Sequence, residues 1–144
     1  MHVLVIDDEP ELLLLCRTAL TGSGYEVSTA ETGDEGLEAV RNSRPDIIVL
    51  DFMMPTVDGL TVLERLRRDV DPEGTVPVVM LSARGRPEDA LRGLAAGATA
   101  YVIKPFSFDE LEALLEAIVA ESPAERDLRR TRALATLATE RGQR

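Results

Sequence analysis

The chain lacks several residue types on which common functions depend. Its one cysteine, Cys16, cannot form an internal disulfide, which suits a reducing cytosol, and no nearby histidine supports a reactive thiol. The single histidine, His2, is interpreted as a residue at the start of a strand. No apolar run approaches the roughly 18 residues that a membrane span requires. The residues Met1-His2-Val3 are expected to begin a strand rather than a signal peptide. We therefore expect a cytoplasmic protein that does not enter membranes.

Basic residues are scarce as well, since the net charge is −10 and the pI is near 4.6. This deficit argues against direct nucleic-acid binding, because a phosphate backbone requires a basic surface. The charge is uneven: residues 1–123 carry 10 basic and 23 acidic residues, whereas residues 124–144 carry 6 and 3. We take this change as the only candidate boundary. It predicts one domain over residues 1–121, followed by a helical extension or linker over residues 122–144.

Apolar runs alternate with helical patterns along the predicted domain. Four apolar runs predict strands, at residues 3–6, 47–50, 76–81 and 99–103, and partial alternation predicts another strand at residues 25–29. Each is followed by a helical pattern, and the first helix is expected to bury Leu12, Leu15 or Cys16, and Ala19. Strands and helices that alternate in this way indicate a doubly wound α/β domain with a parallel five-stranded sheet and five helices.

A sixth helix is predicted for residues 124–140, where helix formers dominate and glycine and proline are absent. Its apolar stripe is thin and consists of Leu128, Leu134, Leu137 and Ala138. Residues 126–132 are interpreted as a solvated helix face. Three arrangements stay open: this helix packs back on the domain, pairs with another chain, or forms a solvated linker.

Polar side chains follow four of the predicted strands at the points where they end. Asp7 and Asp8 follow the first strand, Asp51 the third, Ser82 the fourth and Lys104 the fifth. The carboxyl ends of parallel strands meet at one edge of a sheet, where ligands bind. Three carboxylates at that edge would repel one another and raise each other's pKa, and a hard cation such as Mg²⁺ would relieve the repulsion.

Lys104 is informative because it is the only lysine among 16 basic residues, the rest being arginine. It lies between a buried strand and a proline, a position that a chance surface lysine rarely takes. Its compact ammonium suits an anion held beside the carboxylates. The hydroxyl of Ser82 can donate a hydrogen bond to the same anion.

The residues Asp7-Asp8, Asp51, Ser82-Ala83 and Lys104-Pro105-Phe106 together resemble the receiver domain of two-component response regulators, the CheY-like domain. The resemblance covers about residues 1–121 and is specific as a joint pattern. The segment Ser82-Ala83-Arg84-Gly85 is most similar to receivers of the OmpR/PhoB class. The resemblance implies a flavodoxin-like fold with strand order 2-1-3-4-5.

By that resemblance, Asp51 accepts a phosphoryl group from a sensor histidine kinase or a phosphotransfer protein. Asp8 and Asp51 are expected to bind Mg²⁺ directly, Asp7 through water, and Met53 through its backbone carbonyl. The domain is then not an enzyme in the ordinary sense, because it catalyses only its own phosphorylation and dephosphorylation. The bulk of Met53 and Arg84 beside the expected water path leads to the hypothesis of a long-lived phosphorylated state.

The resemblance also implies a conformational switch. Lys104 is expected to pair with a phosphoryl oxygen and Ser82 to bind another, while Tyr101 turns inward. The Lys104–Pro105 peptide bond is expected to be cis, which is accessible only before proline. These movements would change the face formed by the fourth helix, fifth strand and fifth helix.

A homodimer through this face or through the C-terminal helix is a further expectation. The paired acids that OmpR/PhoB receivers usually carry before the switch aromatic are replaced here by Thr99-Ala100. A dimer through this face would therefore lack the salt bridges of that class.

Two other functions compete with the receiver interpretation. A Mg²⁺-dependent phosphatase of the haloacid dehalogenase type also uses an aspartate after a strand, but Met53 stands where its second aspartate belongs. A flavodoxin-like cofactor binder requires a phosphate loop after the first strand, where Asp7-Asp8-Glu9 would repel phosphate.

Overall fold

The computed structural model describes residues 1–54 and 57–142, with side chains described to residue 140, so the last part of the predicted extension lies outside it. Five parallel strands form one sheet in the order β2-β1-β3-β4-β5. The strands are β1 (His2–Ile6), β2 (Glu26–Ala30), β3 (Ile47–Asp51), β4 (Val78–Ala83) and β5 (Ala100–Lys104). The predicted flavodoxin-like sheet and its strand order are confirmed.

Six helices accompany the sheet in the part of the chain that the structure describes. They are α1 (Pro10–Gly22), α2 (Gly33–Ser43), α3 (Gly59–Arg65), α4 (Pro87–Ala95), α5 (Phe108–Ala120) and α6 (Pro123–Gly142). Helix α3 continues into a π-helical turn, Leu66–Val70. Over the described residues, none of these helices combines the length and the apolarity needed to cross a membrane.

The three central strands of the sheet, β1, β3 and β4, are buried on both faces. Alternate residues of a strand point to opposite faces, so Leu4 and Ile6 of β1 pack under α2 and α3, whereas Val3 and Val5 pack under α1 and α5. This is why the strands appear in the sequence as continuous apolar runs. In β3 all five residues are buried, including Asp51. Asp51 is the last residue of this middle strand, so its carboxylate lies at the end of an otherwise apolar, buried segment.

The chain enters several helices through side-chain caps. The Thr32, Asp58 and Ser107 side chains accept hydrogen bonds from backbone N–H groups at the starts of α2, α3 and α5. Such caps satisfy donors that a helix start leaves unpaired. The cap by Asp58 fixes the start of α3 directly beside the end of β3.

Two local predictions were wrong in part. Of the residues expected to be buried in α1, Cys16 is buried and Leu12 and Ala19 are half-buried, whereas Leu15 is 57% exposed. The most buried residues of α1 are Leu13, Cys16 and Leu20, so the centre of the buried face is shifted by one position from Leu12 and Ala19. The run Leu12 to Leu15 is leucine throughout and gives no polar contrast that would indicate the face. Strand β4 begins at Val78 rather than Val76 and continues through Ser82 and Ala83.

Helix α6 forms as predicted and packs back on the domain, against α4 and β5. Ser122 and Glu125 cap its start reciprocally, each side chain accepting from the backbone N–H of the other residue. Leu137 is 2% exposed among residues of α4, whereas Leu128 is 49% exposed. The interpretation of residues 126–132 as a solvated face was wrong in part, because three arginines of that segment bind the domain.

Candidate functional site

The carboxyl edge of the sheet gathers the polar residues singled out in the sequence. In the parallel register Asp51 lies opposite Leu81, Ser82 opposite Ile103, and Ala83 opposite Lys104, so β3, β4 and β5 end side by side. Asp7 follows β1 on the other side of β3, and its N–H donates to the Ala30 carbonyl at 3.1 Å. The ends of four strands therefore meet at one edge of the sheet, and we call the cluster of Asp7, Asp8, Asp51 and Lys104 at this edge the hollow.

Lys104 lies between two buried carboxylates. Its Nζ is 3.2 Å from Asp51 Oδ1 and 3.7 Å from Asp7 Oδ2. The Met53 N–H donates to Asp51 Oδ1 at 3.3 Å, and the Glu9 N–H donates to Asp7 Oδ1 at 2.9 Å. The lysine and the two backbone donors thus hold the Asp7 and Asp51 carboxylates close to one another.

Burial raises the pKa of Asp7 to about 6, and the nearby Asp51 carboxylate adds to the rise, although the Glu9 N–H opposes it. Burial also raises the pKa of Asp51, against the opposing effect of the Lys104 ammonium. The pKa of Lys104 is itself raised, because attraction to Asp51 and Asp7 outweighs the lowering that burial causes. One ammonium therefore does not fully compensate these acids, and a further positive charge would stabilise their ionised forms.

The donor set of the hollow fits a hard cation. Carboxylate oxygens of Asp7, Asp8, Glu9 and Asp51 lie within 4.8 Å of one another. The Oδ2 atom of Asp7 is buried and accepts no hydrogen bond from the described residues. Its nearest cation is Lys104 Nζ at 3.7 Å, which is too far for a hydrogen bond, and a buried carboxylate oxygen without a hydrogen bond is costly. Oxygen-only donors with an open side are the arrangement that Mg²⁺ takes in proteins.

Ser82 and Tyr101 lie on neighbouring strands with different surroundings. The Oγ atom of Ser82 is buried and makes no hydrogen bond with the described residues. Tyr101 is half-buried, and its ring packs beneath α4 and α6. Burial raises the pKa of its hydroxyl, and the Glu140 carboxylate adds to the rise. The Lys104–Pro105 peptide bond is cis.

The sequence did not single out Gly59 or Glu9, yet both contribute to the hollow. A Cβ at Gly59 would lie 2.3 Å from the Asp51 carbonyl oxygen and 2.8 Å from Phe52 Cα, so only glycine fits there. The Gly59 N–H donates to the Phe52 carbonyl at 2.8 Å, which ties α3 to the end of β3. The sequence suggests only a turn at Asp58-Gly59, whereas the position of Glu9 beside Asp8 could have indicated a fourth acid.

A second feature absent from the sequence patterns connects the hollow to α4. The Arg92 guanidinium lies 5.6 Å from the centroid of the Phe52 ring and pairs with Asp89 at 2.8 Å. Phe52 directly follows Asp51, so this stacking joins the acidic edge of the sheet to the fourth helix. Asp89 is buried and also pairs with Arg86 at 3.2 Å.

An apolar cavity of about 430 Å³ adjoins the hollow. Leu12 and Leu15 of α1 line one side, and Phe106 and Phe108 line the other, with Lys104 at the margin. Leu15, which lines this cavity, is exposed, as is its neighbour in the chain, Leu14. Exposed leucines next to an acidic hollow are a feature of surfaces that bind other proteins.

The fold and the site together define a class of protein: a flavodoxin-like domain with an acid cluster and one lysine at the carboxyl edge of the sheet. A family model described as "Response regulator receiver domain" matches residues 3–116. The chain therefore belongs to the response regulator receiver family.

Relatives and solved structures agree with this assignment. The chain is 44% identical to the transcriptional regulatory protein KdpE of Mycobacterium tuberculosis over 126 residues, covering 88% of this chain and 54% of KdpE. It is 40% identical to the regulatory protein PhoB of Rhizobium meliloti over 123 residues, covering 85% and 54%. The chain thus spans about half the length of the curated relatives it matches.

The solved structures match in fold as well as sequence. A response regulator from Chloroflexus aurantiacus is 32% identical, with a TM-score of 0.77 over 83% of this chain and 98% of that one. NtrX from Brucella abortus is 31% identical, with a TM-score of 0.73 over 98% of this chain and 28% of that one. These findings do not support the phosphatase alternative.

Proposed function

We propose that Asp51 accepts a phosphoryl group and that the domain transmits the change to a partner. The observation that carries this proposal is the contact of 3.2 Å between Lys104 Nζ and Asp51 Oδ1 inside the acid cluster. An ammonium at that distance from the carboxylate can neutralise charge on an incoming phosphoryl oxygen. Phosphoryl transfer depends mainly on positioning and charge neutralisation, so few other groups are required.

The buried position of Asp51 supports its role as the acceptor. It is 2% exposed, and the Met53 N–H and Lys104 hold the same oxygen, Oδ1. Its other carboxylate oxygen has no hydrogen bond within the described residues. We assign nucleophilic attack on phosphorus to that second oxygen. The Ser82 hydroxyl, buried and without a partner among the described residues, is the donor that we assign to the new phosphoryl group.

Asp7, Asp8 and Asp51 are the residues that would hold Mg²⁺, with Glu9 within reach and the Met53 carbonyl as the remaining predicted ligand. When bound, this ion supplies positive charge to phosphoryl oxygens and to the crowded acids. Asp7 is the most buried acid of the cluster, and its N–H contact with Ala30 keeps it fixed relative to β1. We therefore assign Asp7 the expected contact with Mg²⁺ through a water molecule, in which it positions the ion rather than binding it directly.

The proposed phosphodonor is a sensor histidine kinase or a phosphotransfer protein. The apolar cavity between α1 and the residues after β5 lies next to Lys104 and offers a surface on which such a partner can dock. Leu15 lines this cavity and is itself exposed, so it is available for such a contact. Docking there would bring a phosphohistidine to the open side of the acid cluster.

The domain organisation and location are part of the proposal. We infer that residues 1–121 form the signalling unit, acting in the cytoplasm, and that residues 122–144 are an appended helical segment. KdpE and PhoB are named as regulators of transcription, and by similarity we propose that this domain controls an output of that kind through a partner. The acidic net charge argues that the domain itself does not bind DNA.

The test is labelling with acetyl phosphate in the presence of Mg²⁺. The parental chain is expected to acquire an acid-stable, base-labile phosphoryl group, and Asp51→Asn is expected to acquire none. Asp34→Asn is the matched control, because Asp34 is an exposed acid that pairs with Arg65 at 2.8 Å on another part of the surface. Labelling that persists in Asp51→Asn, or that proceeds equally with excess EDTA, would refute the proposal.

A further inference from the structure

Helix α6 covers the face that the proposed switch is expected to change. Leu137 of α6 is buried against Ala90 and Leu94 of α4, and Leu134 and Tyr101 pack on the same cluster. We call this surface, formed by Ala90, Leu94 and Tyr101, the α4–β5 face. The apolar residues of this face are thus covered by α6, a segment of the same chain.

Three arginines fasten α6 to the domain. Arg130 donates to the Leu94 carbonyl at 3.0 Å, at the C-terminal end of α4, and Arg126 donates to the Ile118 carbonyl at 2.9 Å, near the end of α5. Arg129 holds Glu121 with two donors, at 2.7 and 3.0 Å. Positively charged side chains at the carbonyl ends of helices are favourable. Arg126 and Arg130 lie on the same side of α6 as the buried Leu137, so the face of α6 that contacts the domain combines arginine and apolar side chains.

The docking is incomplete on the side towards α5. A cavity of about 560 Å³ lies between α6 and α5, lined by Leu114, Leu128 and Ala133 among others. The apolar contact of α6 is therefore small and confined to α4 and the Tyr101 ring. A helix held by so few buried residues opens more easily than the core helices.

Helix α4 connects this contact to the phosphorylation site. One side of α4 carries Arg92, which stacks on Phe52 next to Asp51, and the other carries Ala90 and Leu94 under α6. The connection from Ser82 to the start of α4 is only four residues long. A displacement of Phe52 or Ser82 at the site would therefore reach, through these two connections, the surface on which α6 rests.

We propose that α6 is an internal ligand of the α4–β5 face, docked while Asp51 is unmodified and released when Asp51 is phosphorylated. This inference rests on the proposed function of Asp51. The occupant is this chain's own helix, and its arginine-rich segment complements an acidic domain. Release frees the α4–β5 face for a partner and at the same time frees the amphipathic face of α6. Because coupling between two sites is reciprocal, docking of α6 also lowers the affinity of Asp51 for a phosphoryl group.

The experiment uses the full chain with beryllofluoride and Mg²⁺ as the probe of the phosphorylated state. Hydrogen exchange of peptides from residues 126–140 is measured with and without the probe, and the probe affinity is measured by titration. In the parental chain the probe is expected to speed exchange in α6 by about fivefold or more, the lower end of ordinary coupling. Asp51→Asn is expected to show no change.

The reciprocal arm uses two leucines of the same helix. Leu137→Asp places a charge in the buried contact and is expected to release α6 and raise probe affinity by about fivefold or more. Leu128→Asp is the matched control, since Leu128 is exposed, and it is expected to leave both measurements unchanged. Arg130→Ala removes the contact with Leu94 without adding a charge and serves if Leu137→Asp does not fold.

The outcomes separate the two proposals. A parental chain that does not bind beryllofluoride overturns the function proposed for Asp51, and this inference with it. Normal binding with unchanged exchange in α6 overturns only the inference. The inference alone is also overturned if α6 is released in Leu137→Asp or Arg130→Ala while the probe affinity stays within about twofold of the parental value.

Discussion

Without a bound metal ion, the acid cluster is expected to lower the free energy of unfolding of the protein. The variant Asp7→Asn tests this expectation. The Asp7 side chain is buried, it lies near Asp51, and Lys104 approaches only to 3.7 Å. Burial raises the pKa of Asp7 from 3.8 to about 6. A neutral asparagine of nearly the same shape keeps an oxygen for the Glu9 N–H and removes the buried charge.

The magnitude follows from the pKa. A shift of one unit corresponds to about 1.4 kcal/mol, so the rise of about two units makes ionised Asp7 destabilising by about 3 kcal/mol at most. The folded-state pKa lies above the unfolded one, so the protonated acid favours folding at low pH. That advantage is lost as the pH rises through about 6. At pH 5 it is worth about 1.4 kcal/mol relative to pH 7.5, or roughly 3–6 °C in the melting temperature.

The assay is urea or thermal unfolding in EDTA at pH 5 and pH 7.5, for the parental chain and for Asp7→Asn. The difference between the two chains isolates Asp7 from other titrating groups. At pH 7.5 the variant is expected to be more stable by up to about 3 kcal/mol, and at pH 5 the difference should shrink. Added Mg²⁺ is expected to stabilise the parental chain more than the variant.

Two results would contradict this reasoning. The first is an Asp7→Asn variant that is less stable than the parental chain in EDTA at pH 7.5. The second is a stability difference between the two chains that does not depend on pH. Either would mean that the Asp7 carboxylate is already compensated in the metal-free fold.

Three further predictions concern the same site. Gly59→Ala should lower the free energy of unfolding by about 2–3 kcal/mol, because the added Cβ would meet the backbone of Asp51. The control Gly22→Ala, which has open space around it, should change the free energy of unfolding by less than about 1 kcal/mol. Equal effects of the two substitutions in urea unfolding would contradict this. Lys104→Met should slow labelling by acetyl phosphate about 10²-fold, and an unchanged rate would show that the ammonium takes no part. Loss of phosphate from the doubly substituted chain, Met53→Asn with Arg84→Ala, should be several-fold faster than from the parental chain; identical decay would remove the hypothesis of a shielded water path.

The fold could be predicted from the sequence because its three central strands are buried on both faces and bounded by turns. The same logic was less successful for α1, where four consecutive leucines hide the helical period; the buried Cys16 was among the expected residues, but packing in the core buries Leu13 more fully than Leu12. Helix α6 could be predicted as a helix, but its docked face could not. Arginines contribute to that face by binding carbonyl groups at the ends of other helices, and no periodic apolar signal marks such contacts.

The site residues predicted from the sequence are brought together because strand ends in a parallel sheet meet at one edge. Asp7, Asp51, Ser82 and Lys104 all lie there. Their supports were not foreseen, since Gly59 matters through a close backbone approach and Arg92 through stacking on the ring of Phe52, which is distant in the chain. Contacts of this kind depend on tertiary geometry and leave no local pattern in the sequence.

The central claim is that phosphorylation occurs on Asp51, and chemical trapping tests it most directly. The chain is treated with acetyl phosphate and Mg²⁺, reduced with borohydride, which converts an aspartyl phosphate to homoserine, and digested for peptide mass analysis. Homoserine is expected at position 51 and at no other acid. Homoserine at Asp7 or Asp8, or its absence from a chain that has taken up phosphate, would contradict the account.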